Sequence, residues 1–191
     1  LEVRAVAGDN FLGGEDFTGI LEKMFYEKMN IVPELQDRKT IAYIRKQAEL
    51  CKLGLSDSKT STMRCVLGGE TREMTVDMDS YEEACEPLLE RIRKPVKRSL
   101  SDAGIKLSDI NVVVMVGGAT KMPLIKSFIS KLFRKFPASG VNPDEAVALG
   151  AAIQAAMKER KESIREVILT DVCSFTLGTE VVVKQRFTGQ Y

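Results

Sequence analysis

NVVVMVGGATKM, residues 111–122, is the stretch on which the reading of the chain turns. Val112, Val113, Val114 and Val116 make a short apolar, β-branched run of the kind that forms a strand buried on both faces. It stops at Gly117-Gly118, where the backbone can turn sharply and come close to a ligand that any Cβ would strike. Pro123 follows, suited to the first turn of a helix because its missing N–H has no partner to lose there. Strand, glycine pair and helix start can together present N–H groups to a phosphate or a ribose. The same residues also fit an ordinary βα turn, and alone they do not choose between the two.

Further features add to this one. A second glycine pair, Gly13-Gly14, precedes the acids Glu15 and Asp16, which suit the positive end of a helix. Phe17, Ile20, Leu21, Met24, Phe25 and Met29 then repeat at helical spacing. Residues 33–54 form the clearest amphipathic helix, with Ile41, Ile44, Ala48, Cys51 and Leu55 as its buried stripe and Gly54 ending or kinking its last turn. Beside that stripe, Glu49, Lys52 and Ser56 lie at i, i+3 and i+7. Spacing leaves them either a solvated face with one Glu–Lys pair or the polar wall of a site.

Bulk properties narrow the class. The 191 residues are 44% apolar and 29% charged with a formal net charge of +1, as in an ordinary globular chain with one core, which can be split into two lobes. Near-neutral charge gives no support for nucleic-acid or membrane-surface binding. Histidine is absent, which excludes a Ser-His-Asp or Cys-His triad within the chain and disfavours a zinc site. Cys51, Cys65, Cys85 and Cys173 form no CxxC pair and have apolar neighbours, so reduced thiols and a cytoplasmic location are expected. The chain begins Leu1-Glu2, without signal-peptide character, and is expected to be a piece of a longer protein.

The remaining elements follow from periodicity. Residues 1–7 alternate and predict a strand. Met63, Cys65 and Leu67 alternate, as do Met74, Val76 and Met78, with Gly68-Gly69 between, which predicts a hairpin. A helix capped at Asp79 or Ser80 follows, with Pro95 expected to kink or divide it and Gly104 to close it. Its basic residues Arg91, Arg93, Lys94, Lys97 and Arg98 are read as a solvated face or as an interdomain or partner surface. Leu124 to Phe136 predicts a strongly apolar helix. Asn142-Pro143-Asp144 reads as a cap and first turn, opening an Ala-rich helix able to pack closely against a neighbour. Residues 158–165 are charged and read as exposed; residues 167–172 and 175–183 predict further strands.

Four segments, GDNFLGGEDF (8–17), AELCKLGLS (48–56), VVVMVGGATKMP (112–123) and NPDEAVALGAAIQAA (142–156), together resemble the DnaK-type, seventy-kilodalton heat-shock chaperone family within its ATPase domain. Their order and intervals fit over nearly the whole chain. The resemblance implies an α/β fold, lobe II of an actin-like (ribonuclease H-like) ATPase, with an incomplete mixed sheet, flanking helices and a helix/hairpin subdomain. Residues 1–14 and 93–165 would form the sheet-bearing part, 15–92 the helix/hairpin part, and 166–191 the interdomain linker and the start of a substrate-binding domain.

The resemblance also implies ATP or ADP as ligand. Glu49, Lys52 and Ser56 would surround the adenosine, with the Lys52 stem along the base and its ammonium solvated. Gly117, Gly118, Ala119 and Lys121 would pass beneath ribose and phosphates, Gly14 would face the nucleotide, and Asp144 would lie near the adenine pocket. No residue here is assigned to hydrolysis or to magnesium, because the family's phosphate loops, catalytic lysine, magnesium-positioning acids and catalytic threonine would precede residue 1. Two central strands of the sheet would be missing with them. The open edges would then pair with each other, with the C-terminal strand or with another copy of the chain. Unfolded polypeptides, a J-domain co-chaperone and a nucleotide-exchange factor would be partners of the parent protein.

Two departures stand at the site. Leu53 replaces the arginine that the family usually places after the adenosine lysine, and Ala119-Thr120-Lys121 stands for Ser-Thr-Arg. Losing guanidinium stacking costs about 0.5–2 kcal/mol, so a weaker or faster-exchanging nucleotide is expected. The alternatives are the second lobe of an actin-like small-molecule kinase, which shares the strand–Gly-Gly–helix layout, and a non-catalytic interaction module for exchange factors.

Overall fold

Asp16 starts the first helix by folding its carboxylate back onto the Gly13 N–H at 2.7 Å. The structure, a computed structural model, describes residues 2–140, 142–159, 170–173 and 178–179. Helix α1 spans Gly14–Met29, burying Phe17, Leu21 and Phe25, and ends where Asn30 turns left-handed at φ 52°. A 3₁₀ turn at Pro33–Leu35 leads to α2, Arg38–Asp57, capped by Asp37 accepting from the Thr40 N–H. Ile44, Ala48, Cys51 and Leu55 are its buried stripe, as the spacing predicts. Gly54 neither ends nor caps α2, which runs on to Asp57. It makes room instead: a Cβ at Gly54 would stand 2.6 Å from Ser61 Oγ on the next strand.

Strands β1 (Thr60–Leu67) and β2 (Glu70–Asp77) pair antiparallel from Thr60↔Asp77 to Leu67↔Glu70. Gly68 and Gly69 turn with φ of 59° and 83°, the left-handed pair that a two-residue hairpin needs. Met63, Cys65, Met74 and Val76 point into the core. Helix α3, Met78–Ala103, is capped by Asp77 rather than Asp79 or Ser80, because the Asp77 carboxylate reaches both the N–H and the hydroxyl of Ser80. Pro95 does not divide α3, and Gly104 closes it at φ 65°. Packing holds the helix before and beyond Pro87: the buried Tyr81 hydroxyl donates to Phe17 O at 2.9 Å, and Arg93 lies over the Phe128 ring. The basic cluster is therefore not simply a solvated face. Arg91 donates to Asp9 Oδ2 at 2.8 Å and to Phe11 O at 3.0 Å, while Lys94, Lys97 and Arg98 are the exposed members.

Helix α4, Pro123–Phe133, buries Leu124, Ile125, Phe128 and Ile129 and stops at left-handed Arg134, leaving Phe136 fully outside. Residues of α1, α2, the hairpin, α3 and α4 share one core.

The expected mixed sheet is reduced, among the described residues, to two parallel bridges, Glu2–Thr170 and Val114–Ala138. Residues 2–7 make only the first, so the predicted strand over 1–7 is not formed as such. Nor are the valines of 112–116 buried on both faces. Val113 and Met115 pack on the core, while Val112, Val114 and Val116 are exposed. A strand is covered on both faces only when layers stand on each side, and here α3 and α4 supply one. Helix α5, Ala146–Lys158, starts after Glu145 rather than at Asn142, whose side chain serves the preceding turn by accepting from the Asp144 N–H. Its small residues Ala148, Gly150, Ala151 and Ala152 are exposed, as are Val147, Leu149 and Ile153. The predicted strands at 167–172 and 175–183, and the charged stretch ending at 165, lie largely outside the described residues.

Candidate functional site

Three segments distant in sequence meet at Gly14. A Cβ there would touch Ala119 Cβ at 3.6 Å and Lys52 Nζ at 3.7 Å. Between them opens a cleft of about 880 Å³, inside the roughly 300–1,000 Å³ usual for small-molecule sites. Gly14, Glu49, Lys52, Ser56, Gly118, Ala119 and Lys121, all singled out from the sequence, line it together. The other two stand behind the wall. Gly117 takes φ 92°, open to glycine alone at low cost, and its N–H donates to Pro143 O at 2.9 Å. Asp144 pairs with Lys121, tying the 3₁₀ turn Gly118–Lys121 to the turn before α5.

The start of α4 is less open than the sequence suggests. Ile125 and Lys126 both donate their N–H groups to Met122 O, so α4 reaches the cleft through Lys126 rather than through open N–H groups at its start, and the turn at Gly118–Lys121 lies beside it.

Lys52 differs most from expectation. Its side chain is only 8% exposed, and its ammonium is not solvated. It donates to Gly14 O at 3.1 Å and Thr18 Oγ1 at 2.9 Å, and pairs with Glu49 Oε2 at 2.6 Å. Glu49 also accepts from the Thr18 hydroxyl. Burial pushes the Glu49 carboxyl up, but the bonds from Lys52 and Thr18, with the charges of Lys52 and Arg45, outweigh it and hold the group below its ordinary value. Ser56 donates to Lys52 O at 3.3 Å.

Leu53, Glu15, Asp57, Met122 and Lys126 complete the lining, the last four not singled out for the site from the sequence. Of these missed residues, Glu15 simply follows Gly14. Thr18, which the sequence reading also passed over, carried a signal in its i+4 spacing from Gly14. The wall thus combines carboxylates, ammonium groups and apolar surface, a set suited to holding a polar ligand. Two further clefts, about 830 and 470 Å³, run along α4 but are lined mainly by apolar groups. Among the described residues no three His, Cys, Asp or Glu side chains gather to hold a metal, and no helix is long and apolar enough to cross a membrane.

The family model described as Hsp70 protein matches residues 1–188. The chain belongs to the Hsp70 family. This Hsp70 chain is 37% identical to the chaperone protein DnaK of Deinococcus deserti, over 94% of its own length and 30% of the relative's. It is 38% identical to the DnaK of Thermosipho africanus over 95% of its length and 32% of the relative's. It is 34% identical to the mitochondrial heat shock 70 kDa protein of Solanum tuberosum over 95% and 28%. The chain therefore spans about three tenths of the curated relatives it matches.

Proposed function

We propose that the cleft at Gly14, Lys52 and Ala119 is one wall of an ATP/ADP site, in a lobe II of the actin-like type. Supporting this reading is a single observation: seven residues marked from separate sequence segments line one cleft of small-molecule size. Glu49 and Ser56 offer polar atoms to a ribose, Leu53 and the Lys52 stem offer surface to a base, and Gly118–Lys121 offers backbone to phosphates, with Lys121 held beside it by Asp144. When bound, the nucleotide with its magnesium would supply the transferable phosphoryl group. This wall binds and orients; hydrolysis belongs to residues outside it.

In the same reading, the whole protein is a cytoplasmic chaperone coupling ATP binding and hydrolysis to binding of unfolded polypeptides. A J-domain co-chaperone and an exchange factor are its partners. Residues 1–14 with 93–165, 15–92 and 166–191 are its sheet-bearing part, helix/hairpin part and linker region. The open edge at residues 112–116 allows self-association, which a strictly monomeric chain in light scattering at high concentration would remove. Titration with ADP by calorimetry tests the site itself: saturable binding is expected, weakened by Glu49→Ala. No binding at millimolar ADP would sink the assignment. Peptide-stimulated ATP hydrolysis by the whole protein is expected, whereas sugar-dependent ADP release would transfer the chain to the small-molecule kinases.

A further inference from the structure

Thr18 does not line the cleft, yet it is 1% exposed and its hydroxyl joins α1 to both Glu49 and Lys52 of α2. A threonine inside a helix ordinarily turns its hydroxyl back to the carbonyl four residues earlier, here Gly14 O at 3.2 Å. This hydroxyl lies closer to two other groups. It accepts a hydrogen bond from Lys52 Nζ and donates one to Glu49 Oε2. Lys52 has three ammonium protons and meets three oxygens: Gly14 O, Thr18 Oγ1 and Glu49 Oε2. Its donors are fully used inside the fold. Glu49 uses Oε2 in both bonds, and its side chain, 38% exposed, sits in the cleft wall.

We propose that Thr18 is the positioning residue of this wall: its buried hydroxyl turns Lys52 inward and fixes Glu49 so that Oε1 faces the cleft as the acceptor for ligand hydroxyls. Lys52 then acts as a strut, contacting ligand through its stem. The proposal rests on the nucleotide reading for the identity of the ligand, but the hydroxyl's hold on Lys52 stands apart from it.

The test compares Thr18→Val, which keeps shape and loses the hydroxyl, with Thr18→Ser, which keeps it, in the full chain. With ADP as probe, Thr18→Val is expected to bind roughly tenfold more weakly, the scale of one charge-assisted hydrogen bond, and Thr18→Ser to bind within about twofold of the parent. Ile44→Val, a core change remote in chemistry, controls for lowered stability and is expected to leave affinity unchanged. A second readout needs no nucleotide. The Lys52 ammonium signal in nitrogen-15 spectra should be protected from exchange in the parent and in Thr18→Ser, and lost in Thr18→Val. Equal ADP affinity in Thr18→Val and the parent, or a protected Lys52 signal in Thr18→Val, would overturn the proposal. A parent that binds no ADP but shows the protected signal, lost in Thr18→Val, leaves the positioning intact and removes the nucleotide reading.

Discussion

Lys52 donates to the carbonyl oxygen of Gly14, 38 residues earlier, and this bond closes the back of the cleft. The ammonium is buried, so Lys52→Met, which keeps the stem, leaves Gly14 O, Thr18 and Glu49 each short of a partner. Partial exposure of Glu49 lets water replace some of the loss, so about 1–2 kcal/mol of stability should go, read by urea unfolding. The pH dependence has a definite sign. Glu49 is held below its ordinary value in the folded chain, so its contribution is present above the unfolded value of roughly 4.3 and is lost as pH falls through the folded one. The gap between the parent and Lys52→Met should therefore narrow as pH falls through the folded value, leaving only the part due to Gly14 O and Thr18. A gap that stays constant into acid would show that Glu49 is not the group Lys52 holds.

Gly54 lies inside α2, where alanine would ordinarily help by up to about 1 kcal/mol. Close packing reverses the sign. The added methyl would meet Ser61 Oγ at 2.6 Å and Ser61 Cβ at 3.3 Å, and β1 is held in register by β2. Gly54→Ala should destabilise by about 1–3 kcal/mol in urea unfolding. On a Ser61→Gly background the obstacle is gone and the same change should become neutral or stabilising. A double-mutant cycle with no coupling would refute the steric account.

How far the sequence foretold the molecule depends on how local each element is. The stripe of α2 and the Gly68-Gly69 turn are specified by neighbouring residues and could be read directly. Residues 112–116 could not, because a run of valines records a preference for burial and not whether a second layer stands over it. The Ala-rich α5 failed for the same reason: smallness permits close packing but supplies no neighbour. At the cleft, the residue types and spacing of Glu49, Lys52 and Ser56 were legible. The inward turn of the Lys52 ammonium was not, since it depends on Gly14 O and Thr18, both on another helix.

Arg91 fixes the loop before α1 by bonding both the Asp9 carboxylate and the Phe11 carbonyl. The Phe11 N–H and Arg91 hold the Asp9 carboxyl below its ordinary value, so the contact should survive mild acid. Arg91→Ala should raise amide exchange at Phe11 while leaving Cys65 and Val76 in the hairpin unchanged. Arg91→Lys should rescue only in part, since one ammonium cannot copy the guanidinium fork. Unchanged exchange at Phe11 in Arg91→Ala would mean that the loop is held by something other than this pair.

Leu53 lines the cleft with about half its surface exposed. Leu53→Arg would put a planar cation where the resemblance to the family places one, able to stack on a base. A gain of about 0.5–2 kcal/mol corresponds to roughly 2- to 30-fold tighter ADP binding, measurable by competition against a fluorescent nucleotide. The other departure should matter less. Lys121 is already paired with Asp144, and Lys121→Arg would spend its guanidinium on the same carboxylate rather than on ligand. The expected order is therefore a clear gain for Leu53→Arg and little change for Lys121→Arg. If Lys121→Arg gives the larger gain, the Asp144 pair yields to the nucleotide, and the weakness of the site must be assigned to the glycine-turn side of the cleft instead.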